Sequence, residues 1–199
     1  HNQNTQTNKV SLSLPELNFS INPSFPFKRK LSIGKQKWYE KIRMSYTTNA
    51  KNQIETTDSL LFTQETFDKM KYGIKHTIPV SSSFKIFKYF NVNPATNYTE
   101  RWYFNRIEKF WNEETSSIDN DTVKGIRVIR DFTTSIGLNT KIYGLYQFKS
   151  KKIKALRHVF TPSLTFSYRP DFSNEKYGYY DWSIVDSTGN QNDLYSYYE

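Results

Sequence analysis

Histidine occurs at positions 1, 76 and 158 of this 199-residue chain, and cysteine does not occur at all. None of the three histidines falls beside paired carboxylates at the spacing a metal site needs. His76 sits in the apolar register of an alternating stretch, which is the place of a packing or interfacial side chain. Without thiols there is neither a thiolate metal site nor a disulfide scaffold. Glu113 and Glu114 are adjacent carboxylates in a polar run, the usual pattern of a solvated surface. No G-x-S-x-G motif or glycine-rich phosphate loop appears. No enzyme activity is indicated, and no cofactor or metal is expected. The chemistry left over is that of charge. Lys41, Arg43, Lys51, Lys75, Lys141 and Arg169 punctuate rows of small hydroxyls and amides. Such a surface attracts anions through its long-range field rather than through a tailored pocket. The tripeptides starting at Asn97 and Asn120 fit the glycosylation acceptor pattern, which is common by chance.

Strands are needed to carry those rows. From Phe132 to Phe148 one face reads Phe132, Thr134, Ile136, Leu138, Thr140, Ile142, Gly144, Tyr146 and Phe148. The other face carries Thr133, Ser135, Gly137, Asn139, Lys141, Tyr143, Leu145 and Gln147. A period of two puts these sets on opposite sides of a strand. Soluble strands usually run about 5–6 residues, and this alternation is roughly three times as long. At a tilt of about 40° a strand climbs about 2.5 Å per residue, so Ile136 to Tyr146 predicts a span of about 25 Å, the height of an outer-membrane apolar band. Five further strands alternate in the same way. The six lie near residues 10–27, 38–54, 70–79, 84–105, 124–149 and 156–169. Pro15, Pro94 and Pro162 are weak points in pairing, because each removes a ladder donor. Pro15 also shifts the phase of the first strand, where Leu12 and Leu14 give way to Leu17, Phe19 and Ile21. Glu108 to Ser117 is the one weak candidate for a helix.

The expected fold is all-β: an antiparallel transmembrane β-barrel segment with long strands, part of a larger barrel because six strands leave two bare edges. Phe132, Ile136, Leu138, Ile142, Tyr146, Leu164 and Phe166 are the expected lipid-facing residues. The six cations named above are the expected lumen-facing ones, and a lumen so lined is hydrophilic and net positive. No stretch reaches the roughly 20 apolar residues of a membrane-spanning helix, and the opening HNQNTQTNKV lacks the apolar core of a signal peptide.

Connections and charge separate by side. Residues 28–37, 80–83 and 149–155 are short links; residues 55–70, 106–123 and 170–199 are long, the last an expected extracellular loop. The long links hold most of the 19 acidic residues. The short ones carry Lys28, Arg29, Lys30, Lys35 and Lys37, then Lys149, Lys151, Lys152 and Lys154, with no acid among them. The net charge of +9 invites a nucleic-acid partner, but this partition argues for two chemically different rims and against one.

Particular strings carry a family resemblance: LPELNFSINPSFPFKRK, KWYEKIRMSY, YGIKHTIPVSSSFKIFKYFNVNPATNYTERWYF, LNTKIYGLYQFK and LRHVFTPSLTFSYRPDF followed by YGYY. In order, from about residue 10 to the end, they resemble the barrel region of Bacteroidetes-type lipopolysaccharide-assembly outer-membrane proteins, the LptD family. The resemblance implies an outer-membrane translocon that takes lipopolysaccharide from a periplasmic bridge protein and delivers it to the outer leaflet. It also implies a plug lipoprotein inside the barrel and sideways opening between the first and last strands. Cysteines that form disulfides in proteobacterial members have no counterpart here, and no gate residue aligns. Two alternatives stay open: another outer-membrane transporter or porin barrel, or a soluble β-rich module that binds glycans or nucleic acid through Trp102, Tyr103, Trp111 and Trp182.

Overall fold

A computed structural model describes residues 2–4, 8–31, 34–61, 63–68, 70–149, 154–184 and 192–197. His1, Lys151, Lys152 and residues 185–191 lie outside the described residues.

The chain is all-β and antiparallel, as its alternation and its Phe- and Tyr-rich composition dictate. Strands β1 (Asn2–Asn4), β2 (Lys9–Ser24), β3 (Arg43–Thr57), β4 (Lys71–Ser81), β5 (Phe84–Ile86), β6 (Phe90–Asn112) and β7 (Ser117–Asn139) follow one another. Then come β8 (Ile142–Gln147), β9 (Ala155–Phe160), β10 (Ser163–Tyr168), β11 (Tyr180–Ile184) and β12 (Asn192–Ser196). The main sheet has eight strands in the order β1-β2-β3-β4-β6-β7-β10, with β5 beside β6. Pairs β8–β9 and β11–β12 form two small sheets. Among the described residues the main sheet does not close on itself. Among the described residues very little is buried: Val10, Ile54, Met70 and Tyr195 are the buried apolar ones.

The Phe132–Phe148 alternation is not one strand. It breaks at Thr140–Lys141 between β7 and β8, and the facing strand breaks at Thr161–Pro162. Register nevertheless runs through the gap: Asn139 faces Ser163 and Ile142 faces Phe160, two pairs on the same diagonal. Thr140 N–H donates to Pro162 O at 3.2 Å, but Pro162 has no N–H to return. A second interruption has the same cause. Ser82 N–H donates to Pro94 O at 3.0 Å, Pro94 returns nothing, and β4 and β5 separate there while both keep register with β6.

Other expected bounds move as well. The stretch 84–105 contains a hairpin, since Phe87 and Lys88 adopt left-handed backbone angles between β5 and β6. Residues 38–41 form a 3-10 turn ahead of β3 rather than its first residues. The 106–123 link and the helix candidate at Glu108–Ser117 are strand: β6 and β7 continue outward to a four-residue turn at 113–116. Ile107, Phe110, Trp111, Ile118, Thr122 and Val123 favour extended backbone, and Trp111 faces Ile118 across the ladder. Asn112 Oδ1 accepts the N–H of Glu114 at 2.9 Å and folds the turn. The 170–199 segment contains the β11–β12 hairpin, which lies against outer β6 through Ile107 N–H to Tyr197 O at 2.8 Å.

Bulges set the parity of each stretch. Around Pro15 the β2–β3 register shifts between Ser13 and Glu16, which aligns Leu17, Phe19 and Ile21 with Ala50, Thr48 and Tyr46. In β7 an extra residue lies between Lys124 and Arg127, opposite Tyr103–Asn105.

The proline interruption generates a test. Pro162→Thr supplies the missing donor, so hydrogen exchange in full-length protein should slow at Thr140, Lys141 and the new residue 162. Unchanged exchange there would mean that the proline does not cause the break.

Candidate functional site

Cross-strand register assigns every side chain of the main sheet to one of two faces, and the two differ in chemistry. Residues opposite one another share a face. One row runs Phe19, Thr48, His76, Glu100, Arg130; the next runs Ile21, Tyr46, then Ile78, Tyr98, Phe132. Further down come Pro94, Ile136 and Phe166, then Val92, Leu138 and Leu164. This face is apolar and open: Ile136 is 50% exposed, and Leu164 and Phe166 are each 69% exposed.

Polar groups bound that apolar field at either end. Toward the long connections, Glu100 takes hydrogen bonds from Tyr98 OH at 2.6 Å, Trp102 Nε1 at 2.6 Å and Arg130 Nε at 3.1 Å. His76 lies beside Trp102, with ring centroids 4.8 Å apart, and shares a 2.7 Å hydrogen bond with Tyr46 OH. Tyr179 OH closes the row on the backbone of Arg130, accepting its N–H at 2.9 Å and donating to its O at 3.2 Å. At the opposite end Thr140, which has the parity of the apolar face, donates its Oγ1 to Tyr89 O at 2.8 Å; Asn91 Nδ2 donates to Asn139 Oδ1 at 2.9 Å on the other face.

The other face is hydrophilic. Ser20, Thr47, Thr77, Thr99 and Asp131 make one row; Asn18, Asn49, Lys75 and Arg101 make the next; Glu16, Lys51, Gly73, Tyr103 and Arg127 make a third. Arg101 pairs with Asp131 across β6 and β7, so part of its charge is neutralised within the sheet.

The residues singled out in the sequence separate into those the sheet gathers and those it does not. Phe132, Ile136, Leu138, Leu164 and Phe166 share the apolar face of the main sheet. Ile142 and Tyr146 have the same parity but belong to β8, beyond the break, and are exposed there. Among the cations, Arg43, Lys51 and Lys75 share the hydrophilic face. Lys41 does not join them, because it ends the 3-10 turn ahead of β3. Lys141 lies in the break opposite the Thr161–Pro162 stretch. Arg169 follows the last residue of β10 and places its guanidinium over the Phe172 ring at 6.0 Å. The aromatic platform of Trp102, Tyr103, Trp111 and Trp182 is not assembled: Trp102 and Tyr103 take opposite faces of β6, and Trp182 sits in the separate β11–β12 sheet.

Sequence reasoning missed two features. The 28–37 link, read as purely basic, folds around an acid from just beyond it. Glu40 is 1% exposed and accepts from Arg29 Nε at 2.6 Å, Arg29 Nη2 at 3.1 Å and Lys37 N–H at 2.6 Å. The Arg29 guanidinium and the Lys37 amide hold its carboxyl down at about 2, below the ordinary 4.5. The spacing Lys37–Glu40 signals a capped turn; nothing in the sequence pairs Arg29 with Glu40.

The second is a notch. β4 begins at Lys71, while its neighbours β3 and β6 run on to Thr57 and Asn112. Met70 fills the floor, its carbonyl accepting from Asn105 Nδ2 at 3.3 Å and its sulfur from Tyr72 OH at 3.0 Å. Tyr197 reaches the notch from β12. A cavity of about 530 Å³ remains, lined on the hydrophilic side by Lys51, Gln53, Lys71, Tyr103, Asn120 and Thr122 among others.

Among the described residues no group of His, Asp and Glu is placed to hold a metal ion. No helix is long and apolar enough to cross a membrane, which says nothing of strands. A continuous antiparallel sheet with one open apolar face and one hydrophilic face is the wall of a transmembrane β-barrel. The family described as LptD protein matches residues 1–199, and the chain belongs to that family. It is therefore an outer-membrane protein of lipopolysaccharide transport and assembly. Neither the curated proteins nor the solved structures contain a match.

Glu40 provides the prediction here. Its lowered value makes the turn's stabilisation complete above the ordinary 4.5 and lost as pH falls toward 2. Amide protection at Arg29 and Lys37, corrected for intrinsic exchange, should fall across that window. Glu40→Gln should speed tryptic cleavage at Arg29 and Lys30 at neutral pH. A pH-independent turn, cut no faster in the variant, would remove the role given to Glu40.

Proposed function

We propose that this chain forms part of the wall of the outer-membrane translocon that passes lipopolysaccharide to the outer leaflet. The supporting observation is the apolar field between the Glu100–Arg130 row and Thr140, where the ladder breaks. Thr140 follows Arg130 by ten positions, which at about 2.5 Å of climb per residue is about 25 Å, the height of the apolar band of outer-membrane barrels. The field faces lipid, with Tyr46, His76, Tyr98 and Trp102 as one interfacial girdle. The band then lies between Arg130 and Thr140 instead of reaching Tyr146, and β8–β9 hangs below it. This placement agrees with the outer edge of β8, whose backbone has no neighbour in β6 and needs water or protein rather than lipid.

The hydrophilic face lines the lumen, where Arg43, Lys51 and Lys75 favour the anionic glycolipid. Residues 1–199 form one barrel segment, and the two open edges meet further strands of the assembled barrel. The partners on this reading are lipopolysaccharide inside, membrane lipid outside, a plug lipoprotein within the lumen and a periplasmic bridge protein below. The long connections, including the 113–116 turn, stand outside the cell, and the Phe87–Tyr89 turn is periplasmic.

Two experiments test this. A lysine at a lipid-facing midplane site costs about 2–4 kcal/mol, so Ile136→Lys in the full-length protein should impair assembly. Ser135→Lys, on the other face opposite Ala95 and Ser167, should assemble normally. Equal tolerance would reverse the assignment of faces. For orientation, Glu114→Cys and Tyr89→Cys in full-length protein otherwise free of cysteine would meet a membrane-impermeant maleimide on intact cells. Glu114→Cys should label at once and Tyr89→Cys only after permeabilisation; the opposite order would invert the barrel.

A further inference from the structure

From the notch between β3 and β6 we infer a binding site for an anionic saccharide at the outer rim of the barrel wall. The inference rests on the translocon reading above for its location and extends it to a site and a ligand class. Three observations converge there. The first is geometry: because β4 stops at Lys71 while β3 and β6 continue, the wall has a recess with sheet on two sides, Met70 below and Tyr197 from β12 at its mouth. Its volume of about 530 Å³ falls within the roughly 300–1,000 Å³ of small-ligand sites.

The second observation is the bulge in β7. Below it odd-numbered residues share the face of Tyr103, as Arg127 does; above it even-numbered residues do, as Lys124, Thr122 and Asn120 show. Without that extra residue Asn120 and Thr122 would point away from the recess. With it, their amide and hydroxyl line the same cavity as Lys51, Lys71 and Tyr103.

The third is the chemistry of the lining. Amide and hydroxyl groups match the hydroxyls of a sugar, and a tyrosine face supplies the apolar contact that a sugar ring offers. Lys51 and Lys71 against the one lining acid, Glu55, leave the lining with a formal charge of one positive. The balance favours a ligand that carries phosphate or carboxylate over a neutral glycan. Fatty acyl chains fit poorly, because the lining cations and amides would lose water without gaining partners.

The probe is the phosphorylated oligosaccharide obtained by complete deacylation of lipopolysaccharide, titrated into full-length protein in detergent. Lys51→Gln should weaken binding about tenfold, the usual size of one lost charge-assisted hydrogen bond. Removing the phosphates from the probe should weaken binding to the native protein similarly. Unchanged binding in both cases overturns the inference. A photo-crosslinking residue in cells separates the two levels of argument. Placed at Thr122 it reports on the notch, and placed at Ser135 it reports on the luminal route. Crosslinks to lipopolysaccharide from both positions support the site. A crosslink from Ser135 alone overturns the site and leaves the translocon reading standing. A crosslink from Thr122 alone keeps the site and overturns the luminal route, and silence at both overturns the two together.

Discussion

Backbone pairing between long strands is the constraint on which everything else here depends. A strand presents alternate residues to opposite faces, so the pairing register of each ladder decides which chemistry meets which environment. The row Phe19–Thr48–His76–Glu100–Arg130 crosses four ladders and stays on one face throughout. A slip of one residue in any of the four would carry Ile136 or Leu17 to the hydrophilic side. Little buried core exists to correct such a slip, since Val10, Ile54, Met70 and Tyr195 are the buried apolar residues described. Specificity must come from the ladders themselves and from cross-strand pairs such as Glu100–Arg130 and Arg101–Asp131, one on each face.

Departures from perfect pairing are placed where the register permits them. Pro94 and Pro162 each interrupt a ladder without shifting it, so the strands on either side keep their faces. The bulges act differently. Near Pro15 the shift restores apolar residues of β2 to the face they need. The one in β7 lies outside the Glu100–Arg130 row and reverses parity only for the outer hairpin. One sequence can thereby satisfy two environments along a single strand: an apolar field below and a hydrophilic rim above.

Alternation made the sheet's faces legible in the sequence. Ile136, Leu138, Leu164 and Phe166 fall on one face because a period of two survives any uncertainty about where a strand ends. The cations were read less well, for a related reason. Lys51 and Lys75 stand in regular strand, whereas Lys41 and Lys141 were counted by parity alone in places where the backbone leaves the strand. Strand ends near a 3-10 turn or a proline cannot be fixed by periodicity. Pairings were illegible for a different reason. Nothing in a one-dimensional pattern says that Arg29 meets Glu40, or that Arg101 and not Lys75 meets Asp131, because those facts follow from register between distant segments. The outer hairpin was missed because its acidic residues resemble a solvated link, although Phe110, Trp111 and Ile118 carry the strand signal.

Unequal strand length is the last consequence of register, and it ties fold to transport. A wall of equal strands would end in a flat rim whose backbone needs only water. Here β4 ends early, β6 and β7 run well past the polar girdle, and the β11–β12 hairpin leans on the exposed flank of β6. The same differences that leave the notch also supply its lining, because β6 and β7 carry Asn105, Asn120 and Thr122 past the end of β4. Charge then follows a simple division. Within the wall, Arg101 is paired with Asp131, which weakens the positive field along the hydrophilic face. At the rim, Lys51 and Lys71 outnumber the one lining acid, Glu55, so the recess keeps a positive balance that the Arg101–Asp131 pair does not have.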